Sequence, residues 1–180
     1  LYKEKLDIDF DYLPSPLDIQ KFNKIDNVKK IENQVAYIGR DSHEKGIDIL
    51  KKAESQINGN VVYCVDRSWE DAMRIIKSSS AVVVPSRMES LPTTIKEAFY
   101  LNVPVIATNV GGIPELVIDN ETGLLVPSEN PEKLADAVNE LLSDTEKAKK
   151  LARNGNDFVK KNMTWDVILP KYIQFYKNLL

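Results

Sequence analysis

A layered α/β fold, with a parallel sheet of about five strands covered by helices on both faces, is the class this sequence predicts. Two observations predict it. Short runs rich in Val and Ile alternate along the chain with stretches of helical periodicity, and those runs are continuously apolar rather than apolar on every second residue. Continuous apolar strands belong to a sheet buried on both sides, and strict alternation with helices makes the sheet parallel with right-handed crossovers. A length of 180 residues, 43% of them hydrophobic and 28% charged, suits one soluble domain with a real core.

Each element has its own signal. Residues 1–33 mix acidic, basic and proline residues; only "IDFDYLP" (8–14) is strand-like, and the segment is expected to be a linker. "VAYIG" (35–39) is the first strand, ending in glycine. "EKGIDILKKA" then sets Ile47, Ile49, Leu50 and Ala53 on one helical stripe. "NVVYCV" (60–65) is the second strand. Ser68 follows as an N-cap with Asp71 three residues on, and Ala72, Ile75 and Ile76 form the next stripe. "AVVVP" (81–85) is the third strand and leads to a helix over 92–101. "VPVIAT" (103–108) is the fourth, followed by a Gly-rich turn and short helix at "GGIPELV", and "TGLLVP" (122–127) is the fifth. The remainder reads as helices over about 130–143, 145–160 and 165–179, the last interrupted by Pro170, which predicts a kink.

Charge and rare residues narrow the function classes. A net charge of −3 argues against nucleic acid or an anionic membrane as a general partner. One cysteine, Cys64, and one histidine, His43, allow neither an internal disulfide nor a Cys/His metal cage, and fit a reducing cytoplasm. No apolar run approaches the roughly 18 residues a membrane span needs. There is no signal-peptide core and no initiating Met, so the chain is expected to be part of something longer.

In a Rossmann-like sheet, ligands bind at the carboxyl ends of the strands, where helix N-termini point. After the first strand, "GRDSHEKG" (39–46) offers Gly39 for close backbone approach, Arg40 as a donor fork, and Lys45 near a helix start. A cation at a positive helix end is sensible when an anion docks there. Neither a G-x-G-x-x-G fingerprint nor a G-x-x-x-x-G-K-[ST] loop is present. After the third strand, Glu89 lies on a loop and Glu97 on the helix it leads into. The core stripe of that helix is Ile95, Ala98 and Phe99, which places Glu97 on the opposite, open side above Thr93. Pro92 fits a first helical position. The turn "NVGGIPE" (109–115) reads equally well as a phosphate-permissive corner and as a tight strand–helix connection.

Taken together, "GRDSHEKGIDILKKA", "VVVPSRMESLPTTIKEAFYLNVPVIATNVGGIPELV" and "TGLLVPSENPEKLADAV" resemble the family 4 retaining glycosyltransferases of the GT-B architecture. Those enzymes carry a Gly-Arg…Lys-Gly turn, a Glu-x7-Glu element, a "P-V-I-A-T…G-G-x-P-E" block and a "T-G-x-L-V" strand in this order. "YLPSPLDIQKF" (12–22) looks like the linker into the second domain, with Asp18 and Phe22 at the expected places. The resemblance implies one half of a GT-B fold, the nucleotide-sugar-binding half, over 34–180, with 1–33 leading in from a missing N-terminal acceptor domain. It implies a UDP-, GDP- or ADP-sugar as donor, transfer of a hexose with retention, no metal and no other cofactor, and membrane contact, if any, through the missing half. Arg40 and Lys45 would grip the diphosphate, Glu89 the transferred sugar and Glu97 the ribose, with backbone N–H groups from Leu91 to Thr94 (Leu91, Thr93, Thr94, around Pro92) facing sugar and phosphate, and Gly39 opening the first turn. Aromatics of the last helix, Trp165, Tyr172, Phe175 and Tyr176, would be partly exposed here and mark the contact with the missing domain.

Two departures accompany the resemblance. Many relatives read Glu-Gly-Phe-Gly where this chain has Glu89-Ser90-Leu91-Pro92, and a strand–helix unit usual between the first turn and the second strand is missing. Competing readings are a glycosidase using Glu89 and Glu97 as its carboxyl pair and a catalytically silent nucleotide-sugar-binding module. "DIDFD" (7–11) resembles an Asp-x-Asp metal element but lies in the linker.

Overall fold

Side chains of the five strands sort by parity into two cores. The structure is a computed structural model that describes residues 13–179, so "DIDFD" and nearly all of the strand-like run 8–14 fall outside the described residues. The strands are β1 (Gln34–Ile38), β2 (Asn60–Cys64), β3 (Ala81–Val84), β4 (Val105–Thr108) and β5 (Leu124–Val126), all parallel, in the order β2-β1-β3-β4-β5. Ala36, Cys64, Val82, Val84, Val105 and Ala107 face one core, and Val35, Tyr37, Ala81, Val83, Ile106 and Leu124 the other. That two-sided burial is why the runs read as continuously apolar.

Helices α1 (Ile47–Ala53) and α4 (Pro131–Ser143) close the second core; α2 (Trp69–Ser78), α3 (Thr93–Tyr100) and much of α5 (Thr145–Asn162) close the first. The predicted stripe of α1 is buried throughout, and Ile47, Ile49 and Leu50 each contribute about 1.5–3 kcal/mol when removed from water. Ser68 caps α2 by accepting from the Asp71 N–H, as its spacing predicted. Two boundaries differ. Pro92 is the N-cap of α3 rather than its first residue, with extended backbone at ψ 124°. The short helix after the two glycines is a single 3-10 turn, Ile113–Glu115.

The segment preceding β1 packs on the domain. Asp18 caps a 3-10 helix, Ile19–Lys24, whose Phe22 is buried, and the Leu17 N–H donates to the Met163 carbonyl at 2.6 Å. Helix α6 (Trp165–Leu179) continues through Pro170. Trp165 and Tyr176 are exposed, as the resemblance implied. Tyr172 and Phe175 are half-buried, still partly exposed as expected, the Tyr172 hydroxyl donating to the Leu13 carbonyl at 3.3 Å. Leu169 and Ile173 complete the exposed row, because spacings of three and four residues share a helix face. Among the described residues, no helix is long and apolar enough to cross a membrane.

Candidate functional site: a crevice between the first and third strands

Strand order decides where a ligand can enter. β1 and β3 are neighbours, yet the chain leaves β1 for α1 on one face and leaves β3 for α3 on the other. Connections departing to opposite sides open a crevice at the carboxyl ends of the two strands. Both loops that wall it are tied together. The Arg87 N–H donates to the Glu44 carbonyl at 2.8 Å. Gly46, at φ +64°, brings the start of α1 against Pro85, and a Cβ there would lie closer than 3.0 Å to the Pro85 carbonyl. Only glycine combines that left-handed backbone with that approach.

Within the crevice, Lys45 and Glu89 meet. Lys45 stands on a 3-10 turn, His43–Lys45, and its Nζ lies 2.5 Å from Glu89 Oε1. Ser86 donates its hydroxyl to the same oxygen at 3.1 Å. Behind Glu89, the Gly112 N–H donates to the Glu89 carbonyl at 3.1 Å, and a Cβ on Gly111 or Gly112 would collide with the Glu89 or Ser90 carbonyl. Of the two readings of the glycine pair, backbone packing accounts for both residues: the corner holds the Glu89 loop in place.

Arg40 is exposed, and among the described residues its guanidinium has no hydrogen bond or ion pair. Its carbonyl accepts from the Tyr37 hydroxyl at 2.7 Å, and the Gly39 N–H extends the ladder to the Cys64 carbonyl at 3.2 Å. Burial, and then the negative charges of Asp41 and Glu89, push the Tyr37 phenol up to about 12, so it stays a neutral donor. At the start of α3, Thr93 is exposed, Leu91 and Thr94 are half-buried and Pro92 is buried. The N–H groups of Leu91, Thr93 and Thr94 have no hydrogen-bond acceptor among the described residues. Free N–H groups at a helix start favour an anion.

Glu97 departs from expectation. It is largely buried, 7% exposed, and its Oε1 accepts from the Trp69 indole N–H at 2.8 Å, while among the described residues its Oε2 accepts no hydrogen bond. The helical wheel placed it correctly away from the strands. It missed that α2 and the leading segment cover that side too: Lys96, 1% exposed, donates to the carbonyl and hydroxyl of Ser15 at 2.9 and 3.0 Å. Burial raises the Glu97 carboxyl above its ordinary value, against the opposing pull of the Trp69 hydrogen bond and the Lys96 and Lys21 charges. The crevice thus joins Lys45 to Glu89 directly, while Glu97 sits further along α3 with a partner of its own.

Sequence reading also missed Arg87. Its guanidinium grips both carboxylate oxygens of Asp48 at 2.7 and 2.9 Å, the Glu129 carboxylate, and the His43 carbonyl at 2.8 Å. These hydrogen bonds hold the Asp48 carboxyl well below the usual range. Arg87 is a brace for the loops, with partners 39 and 42 residues distant and no local pattern to announce it.

The topology and the polar groups at its switch point define a doubly wound class of α/β domain, with a crevice where ligands enter such folds. Comparison with known proteins carries this to a family: the sequence model described as "Glycosyl transferases group 1" matches residues 53–158, more than half of the chain. The chain belongs to the group 1 glycosyl transferases, and its fold is that of one half of a GT-B enzyme. An uncharacterized glycosyltransferase of Methanocaldococcus jannaschii is 31% identical over 159 residues, 86% of this chain and 43% of that protein. A sucrose-phosphate synthase from Thermosynechococcus elongatus superposes with a TM-score of 0.80 at 25% identity, covering 93% of this chain and 52% of the other. Anabaena HepE in complex with UDP-glucose shares the fold, with a TM-score of 0.75 at 20% identity over 82% of this chain and 49% of the other. The chain spans about half the length of these relatives.

Proposed function

We propose that this chain is the donor-binding half of a metal-independent, retaining glycosyltransferase that takes a sugar from a nucleoside diphosphate. The contact between Lys45 and Glu89 beside the unpaired N–H groups of α3 carries the reading, together with family membership. Lys45 pairs with Glu89 four residues ahead of the first residue of α3, Thr93. The relative in complex with UDP-glucose supports a nucleotide sugar as the ligand class.

In this reading, negative charge builds on the diphosphate as the glycosidic bond breaks. Lys45, the unpartnered Arg40 and the N–H groups of Thr93 and Thr94 stabilise that charge, which is preorganised electrostatics at the leaving group. Lys45 is shared between ligand and Glu89, so diphosphate binding draws its ammonium partly away and frees Glu89 to accept from sugar hydroxyls. Glu97 accepts from the ribose hydroxyls. The acceptor and the remaining catalytic groups belong to the other half of the full-length protein.

The test is a thermal-shift panel on this chain with UDP, GDP, ADP and their sugars, run with and without EDTA. At about 100 times the dissociation constant, a ligand adds about 2.7 kcal/mol, a rise in Tm of about 5–10 °C for a domain of this size. Glu97→Ala weakens every nucleoside diphosphate, whereas Glu89→Ala weakens chiefly the preference for those bearing a sugar. No shift with any of these nucleotides overturns the reading; a shift abolished by EDTA overturns its metal independence.

A further inference from the structure

An acceptor for sugar hydroxyls must have its carboxylate plane fixed, and Glu97 is fixed by a residue of another helix. Trp69 is the first residue of α2, directly after its cap Ser68. Its indole N–H donates to Glu97 Oε1 at 2.8 Å across 28 residues of sequence. An indole N–H is a donor only, so the bond has one polarity and one acceptor to aim. The ring is itself braced: Phe22 meets it edge-on, centroids 5.1 Å apart and planes at 79°, and Phe22 packs in turn on Tyr100 of α3 at 4.5 Å. Leading segment, α2 and α3 form a closed circuit around one hydrogen bond.

A carboxylate offers about four lone-pair positions. The indole occupies one on Oε1 and leaves Oε2 for a ligand. Without that donor, the three side-chain torsions of Glu97 lose the contact that selects one rotamer.

We propose that Trp69 is a positioning residue for nucleoside recognition, its indole N–H orienting the Glu97 carboxylate so that the free oxygen meets the ribose hydroxyls. This rests on the crevice being a nucleotide-sugar site. A Trp69 that merely filled space between α2 and α3 would weaken all ligands alike. One that orients Glu97 weakens only those carrying ribose hydroxyls.

Titration calorimetry on this chain separates the two, using UDP, GDP and ADP, each against its 2′,3′-dideoxy analogue. The wild-type chain prefers the ribonucleotide about tenfold or more, the worth of a hydrogen bond to a charged group. In Trp69→Phe, which keeps an aromatic ring and deletes the donor, that ratio falls to within about threefold of unity, while the dideoxy affinity stays within about twofold of wild type. In a Glu97→Ala background, which has no acceptor for the indole, Trp69→Phe changes the ratio no further, because both substitutions act on one contact. If Trp69→Phe does not fold, Phe22→Leu, which loosens the ring and leaves the donor, carries the same measurement with a smaller fall. A ratio unchanged in the folded variant, with equal losses for both nucleotides, overturns the proposal and leaves the site assignment standing. A wild-type chain that binds ribo- and dideoxynucleotides equally overturns the ribose role of Glu97, and the proposal with it.

Discussion

The two ends of the sheet are built of different material. At the carboxyl ends, charged side chains converge: Lys45 on Glu89, and Arg87 on Asp48 and Glu129. Backbones there approach so closely that Gly46, Gly111 and Gly112 admit no Cβ. At the amino ends lies a hollow of about 430 Å³ walled by Ile31, Pro104, Leu141, Leu142, Ala148 and Ala152, with Lys30 at its edge donating to the Ser79 carbonyl. This hollow and the converging charges are therefore at opposite poles. The hollow records imperfect packing where α4 and α5 pass the starts of the strands. The crowded end has the polar convergence, the topological switch and the free N–H groups. What marks a binding site in this fold is the direction of its dipoles and charges, more than the room it offers.

The largest effect that would break this contrast comes from one methyl group placed at either end. Gly46→Ala forces a left-handed residue against the Pro85 carbonyl, beside Lys45. Backbone strain and collision together destabilise by more than about 2 kcal/mol, a fall in Tm of at least about 5 °C. Nucleotide affinity drops at least about tenfold, because the Lys45 turn and the β3 loop separate. Gly59→Ala, whose Cβ would press on the Asn33 carbonyl at the amino end, destabilises the fold and leaves nucleotide affinity within about twofold. Thermal denaturation with and without UDP, GDP and ADP reads both. Equal losses of affinity in the two variants would erase the distinction between the ends.

Of intermediate size is the effect of neutralising the buried acid. Burial raises the Glu97 carboxyl above its ordinary value of 4.5, so the folded chain holds its proton more tightly than the unfolded one. The protonated carboxyl therefore contributes stability that is full below the unfolded value and is lost as pH rises through the raised folded value. Glu97→Gln keeps an oxygen for the Trp69 indole and removes the charge. Its Tm advantage over wild type is near zero at pH 4, grows as pH rises above 4.5, and then levels off. A gain of about 1 kcal/mol would read as about 2–4 °C. Nucleoside diphosphate affinity falls about tenfold in the same variant. A Tm difference that does not change with pH would show that burial sets no tension on this carboxylate.

Much of this architecture was legible in the sequence, and the part that was not shares one physical cause. Strands buried on both faces leave an unbroken apolar record, and the stripe Ile47, Ile49, Leu50, Ala53 fixed the buried side of α1 before any coordinate was known. Lys45 and Glu89, 44 residues apart, were expected at one site and do meet. Glu97 was expected in the open because a helical wheel sees one helix at a time. Its cover comes from Trp69 and from the segment held by Lys96, contacts that no periodicity encodes. Arg87 gave no sequence signal for the same reason, since its partners lie on the His43 turn, on α1 and at Glu129, far away in the chain. The glycine pair at 111–112 was ambiguous until the Glu89 and Ser90 carbonyls were seen against it. Local pattern yields elements and the ends at which loops gather. Which side chains those loops bring together is a tertiary property.

The smallest expected effect on nucleotide affinity sharpens the contrast from the apolar side. Ala148 lines the hollow at the amino ends, on the α5 face that passes the start of β4 through Pro104. Ala148→Leu adds apolar atoms where few neighbours compete for the space. Filling of this kind stabilises by about 0.5–2 kcal/mol when the new side chain finds a free rotamer, and overpacking reverses the sign at similar size. Either sign leaves the crevice untouched, because the substituted atoms and the Lys45–Glu89 pair lie at opposite ends of the strands. UDP, GDP and ADP affinities therefore stay within about twofold of wild type while Tm moves by about 1–8 °C. Parallel calorimetry and thermal denaturation of the one variant decide the matter: a nucleotide affinity that followed Tm would mean that the hollow and the crevice are energetically coupled through the strands, and that the polar end does not hold its geometry independently.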